Sequence, residues 1–303
     1  MDKRQKDDIR RLAGETVRFD CPMAQYTTLG VGGPAEVLYE TDDLEALRRV
    51  IVYLNRERVS YVVVGRGSNL LVRDEGLDGL VIILRGSLAS VKRNATDASE
   101  LIGGGGLVLS DLLVHCRSFG LGGLEFLAGI PGTIGGAIAM NAGAFGKEIG
   151  GRVREIHTLN ATGDMTAKRR SDLNFSYRNL QLEKGSIIVA SVLKIDPESE
   201  KTVADRIANY LKQRKETHPI EYPSAGSVFK NPPHDYAGRL IEQVGLKGKK
   251  IGGAMISEKH ANYIVNTGNA TAEDILALMS LAQEKVMAET GVGLEPEVRV
   301  AGR

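Results

Sequence analysis

Apolar positions in the first third of the chain follow two periods, one helical and one typical of strands. Residues 44–54 carry apolar side chains at helical spacing, so we predict a helix that Thr41 caps and that runs to about Arg58. Uninterrupted apolar runs at 61–65 and 79–84 predict buried strands. This opening segment is therefore expected to form a β–α–β unit.

The middle of the chain shows a different order of elements. A glycine-rich apolar run leads into a predicted helix over 107–120, and Gly120 is a helix stop signal. Residues 153–169 predict a hairpin that turns at 162–164, and residues 186–195 predict a further long strand. This order favours an α+β fold over a regular βαβ alternation.

Pro197 and the polar residues after it mark a boundary in the chain. Beyond it, the sequence predicts three helices, over 202–216, 236–244 and 271–290. The first is expected to open with Thr202 and Asp205 in a capping arrangement, and the last with Thr271 and Asp274.

Charge and composition exclude several classes of protein. Lys and Arg number 39 and Asp and Glu number 38, which leaves a formal net charge of +1. A nucleic-acid binder that relies on a general basic surface needs clustered cations instead. Apolar residues make up 42 % and charged residues 25 % of the chain, as in ordinary globular proteins. We therefore expect neither a disordered chain nor a nucleic-acid partner.

The expected setting of the chain is the cytoplasm. The charged N-terminal residues lack the apolar core of a secretory signal, and the weakly apolar stretch 127–145 has the glycines of a loop rather than of a membrane span. Cys21 and Cys116 form no CxxC pair, and the five histidines show no close ligand spacing. The sequence therefore predicts reduced thiols, no bound metal ion and no membrane partner.

Glycine occupies 36 of the 303 positions and is concentrated in a few loops, which suggests backbone shaped around a ligand. Gly65 and Gly67 follow a strand, but Leu70 stands at the third glycine position of a dinucleotide fingerprint and a strand continues after it. The two glycines still allow close approach of an anion, with Ser68 and Asn69 as donors. An ordinary tight turn explains the same residues equally well.

The densest glycine region is 120–146, and residues 129–146 form the candidate ligand-binding motif within it. Pro131 fixes the chain, the glycines that follow it remove side chains, and Thr133 offers a hydroxyl donor. A flat ring or a diphosphate fits against such backbone, and a glycine-rich contact between helices is the alternative. No GxxxxGK[ST] motif occurs, which disfavours a P-loop kinase or ATPase.

Polar residues further along the chain carry candidate chemistry. Ser227 lies in a proline-bounded loop of small residues that is not a GxSxG elbow, and a local backbone bond is its alternative role. Arg178 fits either a clamp for a carboxylate or a solvated surface position. Glu295 and Glu297 flank Pro296 and at strand spacing share one face, unless the segment is only a solvated terminal strand.

Taken in order, five motifs resemble those of the UDP-N-acetylenolpyruvoylglucosamine reductase family of bacterial flavoenzymes. They are TTLGVGG, GRGSNLLV, GLEFLAGIPGTIGGAIAMNAGAFG, SAGSVFKNP and LEPEV, and the resemblance extends from about Tyr26 to Val300. It implies an α+β fold with a FAD-binding region of the vanillyl-alcohol-oxidase (PCMH) type in two subdomains, 1–84 and 85–196. An α+β C-terminal substrate domain, 197–303, is implied to follow.

The resemblance also implies a reaction. NADPH gives a hydride to non-covalently held FAD, and the reduced flavin gives a hydride to the enolpyruvyl methylene carbon of UDP-N-acetylglucosamine enolpyruvate. Protonation of the neighbouring carbon yields UDP-N-acetylmuramate for peptidoglycan synthesis. Developing charge on the substrate carboxylate needs preorganised donors.

Three residues match the family's catalytic groups. Arg178 matches its arginine, Ser227 matches its serine proton donor, and Glu297 matches the glutamate that steadies the enolic intermediate or supplies the proton through water. Glu295 is the alternative if the register is off by two. The three side chains are expected to converge over one face of the flavin ring.

Further residues are carried over from the family by motif. Tyr177, Lys230, Asn231 and His260 fall where the family contacts substrate. The residues that match its cofactor site are Gly65, Arg66, Gly67, Ser68, Asn69, Leu70, Gly129, Ile130, Pro131, Gly132, Thr133, Gly135, Gly136, Ala137, Asn141, Ala142, Gly143 and Val189.

The chain resembles the shorter form of the family, which lacks an extra tyrosine-bearing loop. What covers the bound UDP-sugar is therefore open, as are the preference for NADPH over NADH and the oligomeric state, for which a monomer is one option. Two rival hypotheses are a flavin oxidase of the same fold acting on another substrate and a non-catalytic regulator that binds a UDP-sugar or flavin. The SAGSVFKNP and LEPEV motifs disfavour the first, and the three matched catalytic residues disfavour the second.

Overall fold

The computed structural model describes all 303 residues, and its internal contacts divide the chain into two compact units. The first unit comprises Met1–Phe19, Val37–Arg66 and Gly79–Lys212, and the second comprises Asp20–Glu36, Gly67–Asp78 and Gln213–Arg303. Each unit is therefore built from segments that are distant in the chain. The division into three domains at 84 and 196 stays a prediction.

The helices α1 to α7 span Lys3–Ala13, Leu44–Arg56, Leu109–Ser118, Ile134–Ala139, Glu200–Thr217, Ala237–Gln243 and Ala272–Thr290. The strands β1 to β21 span Val17–Pro22, Pro34–Thr41, Tyr61–Val63, Leu70–Val72, Leu77–Leu84, Val91–Arg93, Glu100–Gly104, Leu121–Gly122, Gly143–Ala144, Lys147–Glu148, Val153–Leu159, Met165–Arg169, Phe175–Ser176, Asn179–Leu180, Ile187–Lys194, Asp196–Pro197, Ser224–Ser227, Lys250–Ile251, Ala254–Ile256, Tyr263–Asn266 and Arg299–Ala301. None of these helices has the length and apolar character needed to cross a lipid bilayer.

The first unit is organised around a five-stranded antiparallel sheet of order β12-β11-β15-β7-β6. Apolar side chains of this sheet, α3 and α4 enclose one core, which contains Phe126, Ile156 and Leu193. A four-stranded sheet of order β1-β2-β5-β3 encloses a second core with α2, and its strands β3 and β5 are parallel. Helix and strand order is therefore mixed, as the apolar pattern predicted.

Helix α2 buries the apolar stripe predicted from the sequence, but Asp43 rather than Thr41 is its N-cap. The Asp43 carboxylate accepts hydrogen bonds from the N–H groups of Glu45 and Ala46 at 2.8 and 3.0 Å. The Thr41 hydroxyl instead lies 2.9 Å from the Tyr39 hydroxyl. The predicted cap is wrong because a side chain two residues closer reaches the free N–H groups of the first turn.

The start of α5 also differs from the prediction. The Ser199 hydroxyl accepts the N–H of Thr202 at 3.0 Å, and Asp205 pairs with Lys201 at 2.6 Å instead of reaching back. The helix therefore begins at Glu200, and the capping arrangement of Thr202 and Asp205 is wrong. Ser199 was overlooked because it lies inside the polar run that marks the boundary.

Other local predictions are confirmed. Helix α3 ends before Gly120, whose φ of +60° is the left-handed conformation of a helix stop. The hairpin β11–β12 turns at Gly163, which has a φ of +84°. Strand β15, Ile187–Lys194, lies within the predicted strand at 186–195 and pairs with both β11 and β7.

The second unit contains a four-stranded antiparallel sheet of order β17-β20-β19-β18. Helices α6 and α7 share its core, in which Phe229, Ile256 and Leu278 are buried. Strand β21, close to the C-terminus, pairs in parallel with β4. The unit therefore brings residues 67–78 together with the C-terminal residues. Local sequence patterns do not predict this contact.

The first turn of α7 is capped twice. The Thr271 hydroxyl accepts the N–H of Asp274 at 3.1 Å, and the Asp274 carboxylate accepts the N–H of Thr271 at 3.0 Å, which confirms the predicted capping box. The remote Asp74 carboxylate accepts the N–H groups of Ala272 and Glu273 at 2.9 and 3.0 Å. A carboxylate at this end is also favoured by the helix dipole.

We predict that Asp74→Ala lowers the free energy of unfolding by about 1–2 kcal/mol, because two N–H groups of α7 lose their acceptor. Urea unfolding measures the change, and Glu75→Ala, the neighbouring exposed carboxylate, is the matched control. Equal stability of the two variants would show that the remote cap contributes nothing.

Candidate active site

The two predicted glycine loops meet in the first unit. A Cβ built on Gly65 would come within 2.4 Å of the Thr133 hydroxyl oxygen, so only glycine fits at this approach. Thr133 is the N-cap of α4 and its hydroxyl accepts the N–H of Gly136 at 3.4 Å. The first loop therefore lies directly against the start of α4.

The glycines at the start of α4 serve two different purposes. Gly135 donates its N–H to the Gly105 carbonyl at 2.8 Å, and a Cβ on it would lie 3.0 Å from that oxygen. Gly136 is exposed, and a Cβ on it would meet only the Thr133 hydroxyl, at 3.5 Å. The packing explanation therefore holds for Gly135, whereas Gly136 leaves open space where a ligand can approach the backbone.

The residues predicted to hold the cofactor differ in exposure. Ala137, Asn141 and Val189 are buried, and the Val189 carbonyl accepts the N–H of Gly105 at 2.8 Å. Those with exposed or partly exposed surface are Gly65, Arg66, Ser68, Asn69, Leu70, Gly129, Ile130, Pro131, Gly132, Gly135, Gly136, Ala142 and Gly143. Contact of each with a cofactor stays a prediction.

Asn141 is only 1 % exposed and its amide is engaged within the protein. Its Nδ2 donates to a Glu148 carboxylate oxygen at 2.8 Å and to the Ser176 carbonyl at 3.0 Å. Its Oδ1 accepts the N–H of Gly150 at 3.1 Å. Asn141 therefore ties the glycine region to the hairpin β13–β14.

Arg178 lies in the two-residue turn of that hairpin, between β13 and β14. Its φ is +57°, in the left-handed region that costs energy for a residue with a Cβ. One terminal nitrogen donates to the Gly143 carbonyl at 3.2 Å, and the guanidinium carbon lies 5.3 Å from the ring centre of Tyr177. Tyr177 itself is 47 % exposed. The arginine is therefore held by its surroundings rather than freely solvated.

In the second unit, Gly67 and the residues after it contact the TTLGVGG motif. A Cβ on Gly67, whose φ is +60°, would lie 2.1 Å from the Tyr26 carbonyl oxygen. The Thr28 hydroxyl is buried and has no hydrogen-bond partner in the protein. A buried hydroxyl without a partner is rare in a folded protein, and a bound ligand that accepts its hydrogen bond would explain it. Thr28 was not singled out from the sequence, although the motif that contains it was part of the resemblance.

Ser227 ends strand β17 opposite Tyr263 of β20, after a register irregularity that includes Gly226 with a φ of +75°. The segment that follows Ser227 is fixed by Asn262, which is 3 % exposed. The Asn262 side chain accepts the N–H of Phe229 at 3.0 Å and donates to the Phe229 carbonyl at 2.8 Å. Asn262 was missed from the sequence because its partners lie 33 residues away.

The LEPEV motif pairs with the segment that follows Ser227. The N–H of Glu297 donates to the Val228 carbonyl at 2.7 Å, and the N–H of Lys230 donates to the Glu295 carbonyl at 2.9 Å. This pairing brings Glu297 next to the residue that follows Ser227. The structure thus places the predicted serine and glutamate on adjacent, hydrogen-bonded segments.

The two candidate glutamates of this pairing differ in exposure and in their partners. The Glu295 side chain is 70 % exposed and forms an ion pair with Lys230. Glu297 is partly buried. Of the two, Glu297 is therefore the better candidate for catalysis, since a partly buried carboxylate is less hydrated than an exposed one.

The remaining substrate candidates are also in the second unit. The Asn231 side-chain oxygen accepts the N–H of Ala237 at 3.1 Å, at the start of α6. The His260 Nδ1 accepts the N–H of Asn262 at 3.2 Å, which leaves the proton of the neutral ring on Nε2. Burial lowers the pKa of His260, so the neutral ring is favoured.

A second histidine packs beside His260. The ring of His218 lies 5.5 Å from that of His260 and 5.3 Å from that of Tyr263, edge-on to the latter. Burial, followed by the positive charge of Arg214 and by His260, lowers the pKa of His218 from 6.5 to about 4. Protonation of this cluster is therefore unfavourable in the folded protein.

We predict that the contribution of His218 to the free energy of unfolding falls as the pH drops from about 6.5 to about 4, and that this loss is complete below that, because the unfolded chain takes up the His218 proton first. The slope for one proton is at most about 1.4 kcal/mol per pH unit. Urea unfolding across this range measures it, and His218→Phe, which keeps an aromatic ring, should flatten it. Identical slopes in the variant and the native chain would contradict the assignment.

Comparison with known proteins gives a consistent result. A family model described as an FAD binding domain matches residues 35–167, and one described as the C-terminal domain of UDP-N-acetylenolpyruvoylglucosamine reductase matches residues 218–301. The enzyme of that name from Geobacter metallireducens is 44 % identical over 96 % of this chain and 95 % of its own.

The chain belongs to the UDP-N-acetylenolpyruvoylglucosamine reductase family.

Other relatives agree with this assignment. The reductase from Anoxybacillus flavithermus is 40 % identical over the full length of both chains. A crystal structure of the reductase from Thermus caldophilus, 37 % identical, covers 94 % of this chain and 98 % of its own with a TM-score of 0.80. The predicted α+β fold with a FAD-binding region of the vanillyl-alcohol-oxidase type is confirmed, and the chain is an oxidoreductase of this reductase family.

The residues present fit a bound FAD. The exposed backbone at Gly136 has open space over it, and the Thr28 hydroxyl is buried without a partner. Gly136 belongs to the first unit and Thr28 to the second, and each by itself is a feature expected where a ligand lies against the chain. No group of three or more His, Cys, Asp or Glu side chains in the chain could hold a metal ion.

We predict that Gly136→Ala lowers the affinity for FAD by roughly tenfold or more, because the added methyl occupies the open side of the backbone. The protein without flavin should keep its stability or gain about 0.5–1 kcal/mol, since alanine favours a helix. Flavin fluorescence titration measures the affinity. Gly151→Ala, where a Cβ also meets nothing within 4 Å, is the control, and equal affinities of the two variants would remove Gly136 from the cofactor site.

Proposed function

We propose that the chain reduces UDP-N-acetylglucosamine enolpyruvate to UDP-N-acetylmuramate with NADPH, in the cytoplasm, as a step of peptidoglycan precursor synthesis. The observation that carries the proposal is the pairing of residues 227–230 with 295–298, which joins the predicted proton donor to the predicted glutamate. This pairing lies within the residues matched by the family's C-terminal domain.

Reduction of the enolpyruvyl double bond requires a hydride and a proton on neighbouring carbons. FAD, when bound, would carry the hydride from NADPH to the UDP-sugar. The hydride goes to the methylene carbon, and the electron pair of the double bond moves to the carbon that bears the ether oxygen and the carboxylate. That carbon must then be protonated, so the protein needs a proton donor and a stabiliser for the transient negative charge.

Arg178 suits the stabilising role. Its guanidinium presents several donors in a fixed plane that matches a carboxylate, and the contacts with Gly143 and Tyr177 restrict its motion. The strained backbone at Arg178 indicates that the surrounding hairpin enforces its position. The arginine therefore stabilises negative charge that spreads onto the substrate carboxylate.

Ser227 suits the role of proton donor. A serine hydroxyl is a weak acid, but the enolic intermediate is a strong base, so transfer is favourable once the hydroxyl is correctly placed. Asn262 bonds the backbone of Phe229 and so fixes the segment that follows Ser227. Glu297, on the paired segment, steadies the enolic intermediate or returns a proton through water.

The substrate candidates offer donors of the right kind for a UDP-sugar. Lys230 carries a positive charge beside Glu295, and the neutral His260 carries its proton on Nε2. Tyr177 and Asn231 are exposed and available for contact. We propose that these side chains bind the phosphate and sugar groups.

We predict that Ser227→Ala leaves the rate of flavin reduction by NADPH within about threefold, while reoxidation of the reduced flavin by the UDP-enolpyruvyl sugar slows by roughly 10²–10⁴-fold. Stopped-flow absorbance of the flavin under anaerobic conditions measures both half-reactions. Ser224→Ala, on the same strand, is the matched control and should change neither rate.

Equal losses in both half-reactions would contradict the role of Ser227 as a proton donor. A native chain whose reduced flavin is not reoxidised by this sugar would contradict the proposed function itself.

A further inference from the structure

Asn69 stands in the glycine-rich turn where the resemblance predicts cofactor contacts, but its side chain is used elsewhere. Its Nδ2 donates to the backbone carbonyl of Glu297 at 3.1 Å, across 228 residues of sequence. The bond is partly buried, so losing it would leave a carbonyl without its partner in a poorly hydrated place.

The backbone around Glu297 is consequently held from two directions. Its N–H donates to the Val228 carbonyl at 2.7 Å, in the segment that follows Ser227. Its carbonyl accepts the Asn69 side chain, as described above. The Glu297 N–H bond holds the peptide plane before the Glu297 Cα. The Asn69 bond holds the plane after it, together with the Val298 N–H, which donates to the Val228 carbonyl at 3.2 Å. The two planes set the direction of the Glu297 Cα–Cβ bond.

Main-chain pairing continues without the Asn69 side chain. The Asn69 carbonyl accepts the N–H of Arg299 at 3.0 Å, and Leu70 is in register with Arg299 in the parallel pair β4–β21. The pairing of β4 with β21 therefore does not require the side-chain bond of Asn69. That bond is made to the carbonyl of the peptide that follows Glu297.

We propose that Asn69 is a positioning residue for Glu297, so that the turn predicted to contact FAD also orients the catalytic glutamate. This inference rests on the proposed function, in which Glu297 serves the reduction of the UDP-sugar. Misplacement of a reacting group by about 1 Å costs on the order of 100-fold in rate. Loss of the Asn69 bond should therefore slow reoxidation of the reduced flavin by the UDP-sugar, the step that uses Glu297. Flavin reduction by NADPH does not use Glu297 and should be affected far less.

The test compares Asn69→Ala and Asn69→Asp with the native holoenzyme. Aspartate has nearly the same shape, but its ionised carboxylate cannot donate to a carbonyl, so both variants lose the bond. We expect reoxidation of the reduced flavin by the UDP-enolpyruvyl sugar to fall by roughly 10²-fold. Because Asn69 is also among the residues predicted to contact FAD, both half-reactions are measured at saturating FAD, and the loss in reoxidation should exceed any loss in flavin reduction by NADPH by at least about tenfold.

A double-mutant cycle connects the effect to Glu297. In the Glu297→Gln background, Asn69→Ala should slow reoxidation by less than about threefold, because the group that it orients is already gone. Amide hydrogen exchange provides a readout that is independent of activity. Exchange within residues 294–300 should be faster in Asn69→Ala than in the native chain, also in protein stripped of flavin.

Asn266→Asp is the matched control. The Asn266 Nδ2 also donates to a backbone carbonyl in the second unit, that of Leu29, at 3.0 Å. The aspartate keeps the oxygen that accepts the N–H groups of Gly268 and Ala270. This variant should lower stability without separating the two half-reactions.

Three results would overturn the inference. They are reoxidation at the native rate in both Asn69 variants, additive losses with Glu297→Gln, and a loss of FAD affinity that accounts for the whole effect. If the native chain is not reoxidised by the sugar, the proposed function fails, and unchanged exchange at 294–300 would then overturn the positioning role separately.

Discussion

The central constraint in the second unit is the main-chain pairing between the segment after Ser227 and the segment that contains Glu297. Its hydrogen bonds, Glu297 to Val228 and Lys230 to Glu295, are between backbone groups. They set the distance between the two backbone segments that contain the serine and the glutamate. This distance does not depend on the side chains at neighbouring positions. Because strand pairing holds residues about 5 Å apart, two groups 70 positions apart in sequence become neighbours.

Buried and partly buried amide side chains secure the segments that contain the proposed catalytic residues. Asn262 bonds both backbone groups of Phe229. Asn141 bonds the Ser176 carbonyl, next to the turn that contains Arg178, and Asn69 bonds the carbonyl of Glu297. Leaving such a partner unsatisfied in a buried place costs about 1–3 kcal/mol. The loops can therefore hold a strained residue such as Arg178, and glycine is kept for positions where no Cβ fits, as at Gly65.

Local signals in the sequence predicted much of the fold. The capping box of Thr271 with Asp274 and the hairpin at 153–169 depend on residues close in sequence, and both are confirmed. The cap of α2 was misplaced because Thr41 and Asp43 are equally suitable by type. The cap from Asp74 and the bond from Asn69 to Glu297 join residues about 200 positions apart, and no local pattern contains that information. The functional assignment came from motif resemblance, which the comparisons confirm at the level of the family.

The most direct test of whether Glu297 is the catalytic glutamate is a rate measurement in Glu297→Gln and in Glu295→Gln. The rate is that at which saturating UDP-enolpyruvyl sugar reoxidises the pre-reduced flavin. The pairing places Glu297 beside the Ser227 segment and commits the exposed Glu295 to Lys230. The account predicts a loss of roughly 10²–10⁴-fold in Glu297→Gln and a rate within about threefold of native in Glu295→Gln. Equal losses in the two variants, or a greater loss in Glu295→Gln, would contradict it.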